Sequence, residues 1–168
     1  MCRLQAVDYE PSVHVVPQAR HWLQHRLRRW ELDPLISDGS LLLTELVTNA
    51  VLHASSQVHV AAAVADGTLE IGVGDHDPRP PRLRRGERDL LSALSLSHGG
   101  RGIRLVDQIA EEWGWVSLSA GKQIWFRLSV GDGWPHRTAC PCAGENLERV
   151  RLESGKFAVA LAGPWDAD

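Results

Sequence analysis

Hydrophobic residues recur at helical spacing in three stretches of the chain, and these stretches predict three helices. They cover residues 18–30, 36–54 and 103–112, and the second has the longest and most regular apolar stripe. Gly114 follows the third stretch and is expected to end that helix, because glycine commonly occupies the position after a helix C-terminus.

Shorter stretches, in which apolar residues alternate with polar ones or follow one another, predict strands. These lie at residues 12–16, 58–64, 69–74, 115–119 and 123–130. An Asp66–Gly67 pair between two of them is a hairpin signal. The regular hydrophobic pattern gives way to a linker-like sequence after Val130, so we expect one domain over residues 1–130. Residues 131–168 would form an extension with a small hairpin at 150–152 and 157–161.

The composition is that of an ordinary globular domain, with 168 residues, 43% hydrophobic and 23% charged. The net charge of −3 argues against a nucleic-acid partner. Seven arginines between residues 79 and 104 face only two acidic residues, which suits a phosphate ligand, an acidic partner or a solvated loop. No apolar run approaches the ~20 residues of a membrane span, and no signal peptide is evident, so we expect a cytoplasmic location away from the membrane.

The first candidate site is a polar face on the predicted helix 36–54. Glu45, Asn49 and His53 are spaced four residues apart and therefore project from the same side. An Asn carbonyl oxygen is a suitable ligand for Mg²⁺, and a neighbouring carboxylate can accept a proton during phosphoryl transfer. Taken alone, these residues are better explained as the solvated face of an amphipathic helix.

The second candidate is Asp75, which follows the predicted strand 69–74. Its carboxylate could accept a hydrogen bond from the amine of adenine and so select that base, because guanine presents an acceptor there. A turn-forming aspartate before a proline is the simpler alternative. A metal site built from Asp75, His76 and Asp77 is less favoured, because adjacent side chains rarely converge.

The third candidate is a glycine-rich turn that runs into the predicted helix 103–112. Backbone N–H groups at a helix start bind anions, and glycines let the chain approach phosphate oxygens closely. The pattern is neither the dinucleotide-binding nor the P-loop fingerprint, and a plain loop remains an alternative. The residues concerned are Gly99, Gly100, Arg101, Gly102 and Ile103.

The order of these three motifs is more specific than any one of them. Together they resemble the GHKL superfamily of ATP-binding proteins, and in particular the RsbW-type anti-sigma-factor serine kinases of actinobacteria. The matching segments are ELVTNAVLHA from Glu45, VGDHDP from Val73, GRGIRLV from Gly100 and GKQIWFRL from Gly121. The resemblance covers roughly residues 10–130. The sequence departs from the family pattern at Asp77, where many members have glycine, and at Lys122 and Gln123, where a threonine is often found.

The resemblance implies an α/β two-layer sandwich, with helices on one face of a mixed β-sheet (the Bergerat ATP-binding fold). It implies ATP and Mg²⁺ as cofactors, with Asn49 as the metal ligand and Glu45 as the catalytic base. Asp75 would contact adenine, and residues 82–98 would form a lid. The other residues expected around the nucleotide are His53, Asp77, Gly99, Gly100, Arg101, Gly102 and Ile103.

The resemblance further implies a serine/threonine protein kinase that phosphorylates an antagonist protein and binds a sigma factor. A non-catalytic module, in which ATP only changes partner affinity, is the main alternative. A metal-dependent hydrolase, suggested by eight histidines, is a third. The first predicted helix, with Trp22 and Trp30, is a candidate homodimer or partner surface, although packing of these side chains on the sheet is favoured. Cys140 and Cys142 could be half of a zinc site, a redox pair or neither.

Overall fold

The computed structural model describes residues 3–54, 56–65, 67–81, 102–131, 147–151 and 157–161. It contains three α-helices and seven β-strands in these ranges, with a short 3₁₀ turn at Asp33–Leu35. In chain order they are β1 (Arg3–Tyr9), α1 (Val15–Arg29), α2 (Ile36–Ala54), β2 (Val58–Ala65), β3 (Thr68–Asp75), α3 (Gly102–Ile109), β4 (Glu112–Leu118), β5 (Gly121–Ser129), β6 (Leu147–Arg151) and β7 (Phe157–Leu161).

Five of the strands form one sheet in the order β1-β2-β3-β5-β4, and the helices pack against it as a second layer. This is the expected two-layer α/β sandwich. All four pairings are antiparallel, however, where a mixed sheet was expected. The antiparallel register places Asp75 at the end of β3 directly opposite Lys122 at the start of β5.

The core lies between the sheet and the helices. Strands β2, β3 and β5 contribute every second residue to it, since successive side chains of a strand point to opposite faces. The predicted stripe of α2 supplies the facing layer, and full burial of such a side chain contributes about 1.5–3 kcal/mol. The buried apolar side chains of α2 are Leu42, Leu43, Leu46, Val47 and Ala50.

The N-terminal segment differs from the sequence prediction. Residues 12–16 were expected to form a strand, but α1 already begins at Val15, which is fully buried. Pro17 is tolerated because it lies in the first turn of the helix, where its missing N–H has no partner to lose. The strand in this region is β1, which was missed because it is an edge strand with few buried positions.

The boundary between α3 and β4 also differs from the prediction. The helix ends at Ile109, and Gly114 lies inside β4 rather than after a helix. Gly114 pairs with Trp125, and a Cβ atom at Gly114 would lie 2.7 Å from Cζ2 of the indole. The glycine is therefore needed for close approach of the ring, and not for ending a helix.

The second face of the sheet is covered as well. Nearly all residues of β2, β3 and β5 are buried on both faces, and β7 lies next to β2 and β3. The strands β6 and β7 form an antiparallel sheet of their own, close to the hairpin expected at the end of the chain. Trp30 lies in the main core and Trp22 packs against it, which agrees with the favoured interpretation of these two residues.

One helical stretch, Asp33–Ala54, is long and apolar enough to cross a membrane when judged by length and composition alone, although no such run was expected. The buried stripe of α2 packs into the core, whereas Glu45 and Asn49 lie on a half-exposed side of the same helix. Core packing accounts for the apolar residues of this stripe, whereas Leu41 and Leu52 of the same helix are exposed.

Candidate functional site

A cavity of about 360 Å³ opens between α2, the start of α3 and the adjoining ends of β3 and β5. Its size falls within the ~300–1,000 Å³ of typical small-molecule sites. Its lining combines apolar side chains with polar groups from α2 and from the strand ends. The lining residues are Leu46, Asn49, Ala50, His53, Val73, Asp75, Asp77, Arg79, Pro80, Pro81, Ile103, Lys122 and Ile124.

Helix α2 presents Asn49 and His53 to this cavity. They lie one helical turn apart, as the sequence predicted, and Asn49 is half-buried whereas His53 is exposed. Glu45 lies one turn earlier and is also half-exposed, but it is not among the described residues that line the cavity. The structure thus brings two of the three predicted side chains into the cavity and leaves Glu45 outside its lining.

The end of β3 supplies Asp75, which is only 4% exposed. Its Oδ1 accepts two hydrogen bonds, one of 2.8 Å from Lys122 Nζ and one of 2.9 Å from the backbone N–H of Asp77. The part of the chain that the structure describes donates no hydrogen bond to Oδ2. Asp75 therefore brings a buried, ionisable acceptor with one free oxygen into the cavity.

Lys122 is the residue of this site that sequence reasoning did not assign. It is only 6% exposed, and its ammonium donates to Asp75 Oδ1 at 2.8 Å and to the backbone carbonyl of Asp77 at 2.9 Å. A buried ammonium is costly unless it is paired and hydrogen-bonded, and these partners meet that requirement. The signal in the sequence was that Lys122 and Gln123 both depart from the family pattern, at the beginning of the predicted strand 123–130.

Asp77 closes the same corner of the cavity. The hydrogen bond from the Arg79 side chain is the main reason that the pKa of Asp77 is lowered to about 2, and Lys122 nearby adds to the effect. Arg79 Nε lies 2.8 Å from Asp77 Oδ1. Asp77 therefore stays ionised at any physiological pH and holds Arg79 at the cavity wall.

Helix α3 begins at Gly102, and Ile103 follows as a buried residue that lines the cavity. The start of this helix thus lies at the cavity, as the glycine-rich motif predicted. Gly99, Gly100, Arg101 and the expected lid at 82–98 lie outside the described residues. The short helix α3 is held by Val106, which is fully buried.

The described residues contain no group of three histidine, cysteine, aspartate or glutamate side chains that could hold a metal ion. Asp75 and Asp77 are joined through Lys122, and the ring of His76 lies 6.1 Å from that of His59. A metal at this cavity would thus depend on the Asn49 carbonyl oxygen together with oxygens of its ligand. That donor set fits Mg²⁺, which usually keeps phosphate and water ligands. Cys140 and Cys142 lie outside the described residues.

Comparison with known proteins defines the class of this protein. The family model for the histidine kinase-like ATPase domain matches residues 9–128, and the chain belongs to this family. Among solved structures, it is similar to the RsbU and RsbW domains of Rv1364c from Mycobacterium tuberculosis, with 18% sequence identity and a TM-score of 0.58. The match covers 81% of this chain and 35% of that chain. No curated protein matches the sequence.

Proposed function

We propose that the cavity binds ATP with Mg²⁺ and that the protein transfers the γ-phosphate to a serine or threonine of a partner protein. The observation that carries the proposal is the free Oδ2 of buried Asp75 at the end of a cavity that Asn49 also lines. This oxygen receives no donor from the described residues, and the exocyclic amine of adenine would supply one. The family, an ATPase family, supports the same ligand.

The adenine ring would lie against the apolar side chains that line the cavity. Val73 and Ile124 come from the neighbouring strands β3 and β5, and Ala50 comes from α2. Ile103 would pack on the ring near the start of α3. A flat heterocycle gains from such contacts on its faces, while Asp75 would fix its orientation through the edge.

The phosphates would extend from the base toward Asn49 and the start of α3. Bound Mg²⁺ would supply charge neutralisation at the phosphate oxygens, and Asn49 would hold it through the side-chain carbonyl. His53, one turn later on the same face, is expected next to the nucleotide. Gly99, Gly100, Arg101 and Gly102 would border the phosphates, because backbone N–H groups at a helix start bind anions.

Glu45 is proposed as the general base. It lies one turn before Asn49 and is half-exposed, so a hydroxyl of another protein could reach it from solvent. A carboxylate in that place would accept the proton of the attacking hydroxyl. The position outside the cavity lining is compatible with this role, since the base has to contact the partner rather than the nucleotide.

The partner is proposed to be an antagonist protein or a sigma factor, which would make this chain a cytoplasmic anti-sigma factor acting on transcription. The structural likeness to a chain described as containing an RsbW domain supports this assignment through the fold. The proposal includes a homodimer of this chain. We also propose that residues 1–130 form the ATPase domain and that 131–168 are an extension to it.

A nucleotide-gated binding module without catalysis is the second candidate. The observation in its favour is that Glu45 does not line the cavity within the described part of the chain. In that case ATP would change the affinity for the partner protein by favouring one conformation of this protein over another. Binding would still require Asn49 and Asp75, whereas Glu45 would be dispensable.

One experiment tests both candidates. The protein would be incubated with γ-labelled ATP and candidate antagonist proteins from its source organism, and nucleotide binding would be followed in parallel by thermal unfolding. A ligand at 100 times its Kd should add about 2.7 kcal/mol of stability. The kinase proposal expects label transfer that Glu45→Gln abolishes while leaving ATP binding intact. Equal transfer by wild type and Glu45→Gln would remove Glu45 from its role, and binding without any transfer would favour the second candidate.

A further inference from the structure

The ammonium of Lys122 has one hydrogen-bond donor left over. An ammonium carries three N–H groups, and two of them are used on Asp75 Oδ1 at 2.8 Å and on the carbonyl oxygen of Asp77 at 2.9 Å. The closest approach to the Asp77 carboxylate, at 3.6 Å, is too long for a hydrogen bond. Lys122 lines the cavity and is 94% buried, so a partner for the third N–H would have to come from the cavity.

The carboxylate of Asp75 has an acceptor left over, just as the Lys122 ammonium has a donor left over. Lys122 and the backbone of Asp77 both donate to Oδ1, while Oδ2 receives no donor from the described residues. The Lys122–Asp75 contact holds the two side chains in fixed relative positions, and both are more than nine-tenths buried. A free acceptor and a free donor therefore stand side by side at the same corner of the cavity.

This pair matches the edge of adenine, which presents the N6 amine as a donor directly beside N1 as an acceptor. We propose that Lys122 donates a hydrogen bond to N1 while Asp75 accepts one from the N6 amine, so that Lys122 is a specificity-determining residue of the nucleotide site. The inference rests on the proposed function, because it requires that the cavity binds the adenine of ATP. It assigns to Lys122 a contact with the base itself, beyond neutralising the charge of two carboxylates.

Charge neutralisation alone would have a different consequence. A lysine that only offsets the charges of Asp75 and Asp77 stabilises the fold, but it is indifferent to the atom at position 1 of the purine. A lysine that contacts N1 loses its partner when that nitrogen is replaced by C–H. A buried donor left unpaired by such a ligand is costly, particularly when it is charged.

The test measures dissociation constants for ATP, 1-deaza-ATP, 7-deaza-ATP and GTP by isothermal titration calorimetry with the full chain. Wild type should bind 1-deaza-ATP about 10- to 100-fold more weakly than ATP, since hydrogen bonds to charged groups are the stronger ones. The analogue 7-deaza-ATP lacks a ring nitrogen that the pair does not contact, and it should bind like ATP. In Lys122→Met the ratio between ATP and 1-deaza-ATP should fall to within about twofold, whatever happens to the absolute affinity.

Two further variants keep the test decisive. Arg79→Met removes another cation from the cavity wall and should preserve the wild-type ratio, so that a general loss of positive charge is separated from the loss of the N1 contact. If Lys122→Met does not fold, Lys122→Gln retains an uncharged donor of similar reach and should keep a reduced preference for ATP. Circular dichroism would verify the fold of each variant.

The outcomes separate this inference from the proposed function. Equal binding of ATP and 1-deaza-ATP by wild type would overturn the inference while leaving ATP binding intact. A wild-type preference that persists in Lys122→Met would assign the N1 contact to another group and would overturn it as well. GTP bound more tightly than ATP would show that the pair recognises the lactam edge of guanine instead. Absence of binding by all three adenine nucleotides would reject the proposed function itself.

Discussion

Gly121 and Asp75 approach each other so closely that no side chain fits between them. A Cβ atom at Gly121 would lie 2.0 Å from the backbone carbonyl oxygen of Asp75, and φ of Gly121 is +156°. We expect Gly121→Ala to lower the free energy of unfolding by about 1–3 kcal/mol, because the backbone at the end of β3 must shift to make room. Since Asp75 would move with it, ATP affinity should fall in the same variant. Urea unfolding and calorimetric titration measure the two effects.

Gly131→Ala is the matched control for this variant. Gly131 also has a positive φ, +80°, but a Cβ atom there would meet nothing within 4 Å. The variant Gly131→Ala therefore has the backbone strain of an alanine at positive φ without the clash. We expect it to cost on the order of 1 kcal/mol of stability and to leave ATP affinity unchanged. If Gly121→Ala is no more destabilising than Gly131→Ala and binds ATP normally, the close approach to Asp75 is unimportant.

Asp75→Asn should abolish most nucleotide binding with little change in size. An amide offers a donor as well as an acceptor, and Lys122 would lose its charged partner at 2.8 Å. We expect the thermal stabilisation by saturating ATP to disappear, corresponding to at least a 100-fold loss of affinity. Glu111→Gln removes the same unit of charge from an exposed position and should be stabilised by ATP like wild type. Undiminished stabilisation of Asp75→Asn would contradict the proposed adenine contact.

The pH dependence of stability should include a contribution from Asp77. The pKa of this carboxyl is lowered from 3.8 to about 2 in the folded protein, chiefly by the hydrogen bond from Arg79. A lowered folded-state pKa means that the ionised group favours the native state above about pH 4. This contribution is lost as the pH falls from about 4 to about 2. Unfolding curves of wild type and Asp77→Asn should therefore converge over that window.

Arg79→Gln is the companion variant for the titration of Asp77. Without the guanidinium, the pKa of Asp77 should move upward toward its ordinary value, while Lys122 still limits the change. Carbon-13 NMR of the Asp77 carboxyl follows this directly. An unaltered titration curve in Arg79→Gln would show that Arg79 is not the main cause of the lowered pKa.

Gly114 and Trp125 should be energetically coupled across β4 and β5. A Cβ atom at Gly114 would lie 2.7 Å from Cζ2 and 3.0 Å from Cε2 of the indole, and a rigid ring in a buried position has little room to move. We expect Gly114→Ala to cost about 1–3 kcal/mol of stability in urea unfolding. In a Trp125→Leu background the same change should cost much less, because the ring is gone. Additive effects of the two changes would contradict the clash.

The sequence determined those features that depend on local periodicity. The stripe of apolar residues placed α2 at 36–54, which is where the structure has it, and the hairpin signal at Gly67 correctly joined β2 to β3. These elements are strongly patterned and buried, so their residues carry the information themselves. The motifs around Asn49, Asp75 and Ile103 likewise converge on one cavity, because a helix face and strand ends project predictably.

Only the tertiary structure decided how residues distant in sequence meet. Lys122 lies 47 positions from Asp75, and it reaches the carboxylate because β5 pairs with β3 in one particular register. Gly114 was predicted to end a helix, since its role against Trp125 depends on a neighbouring strand. The edge strand β1 has too few buried residues for its sequence pattern to predict a strand. In each case strand pairing supplies the deciding contact, and such pairing is set by packing across the whole sheet rather than by any local pattern.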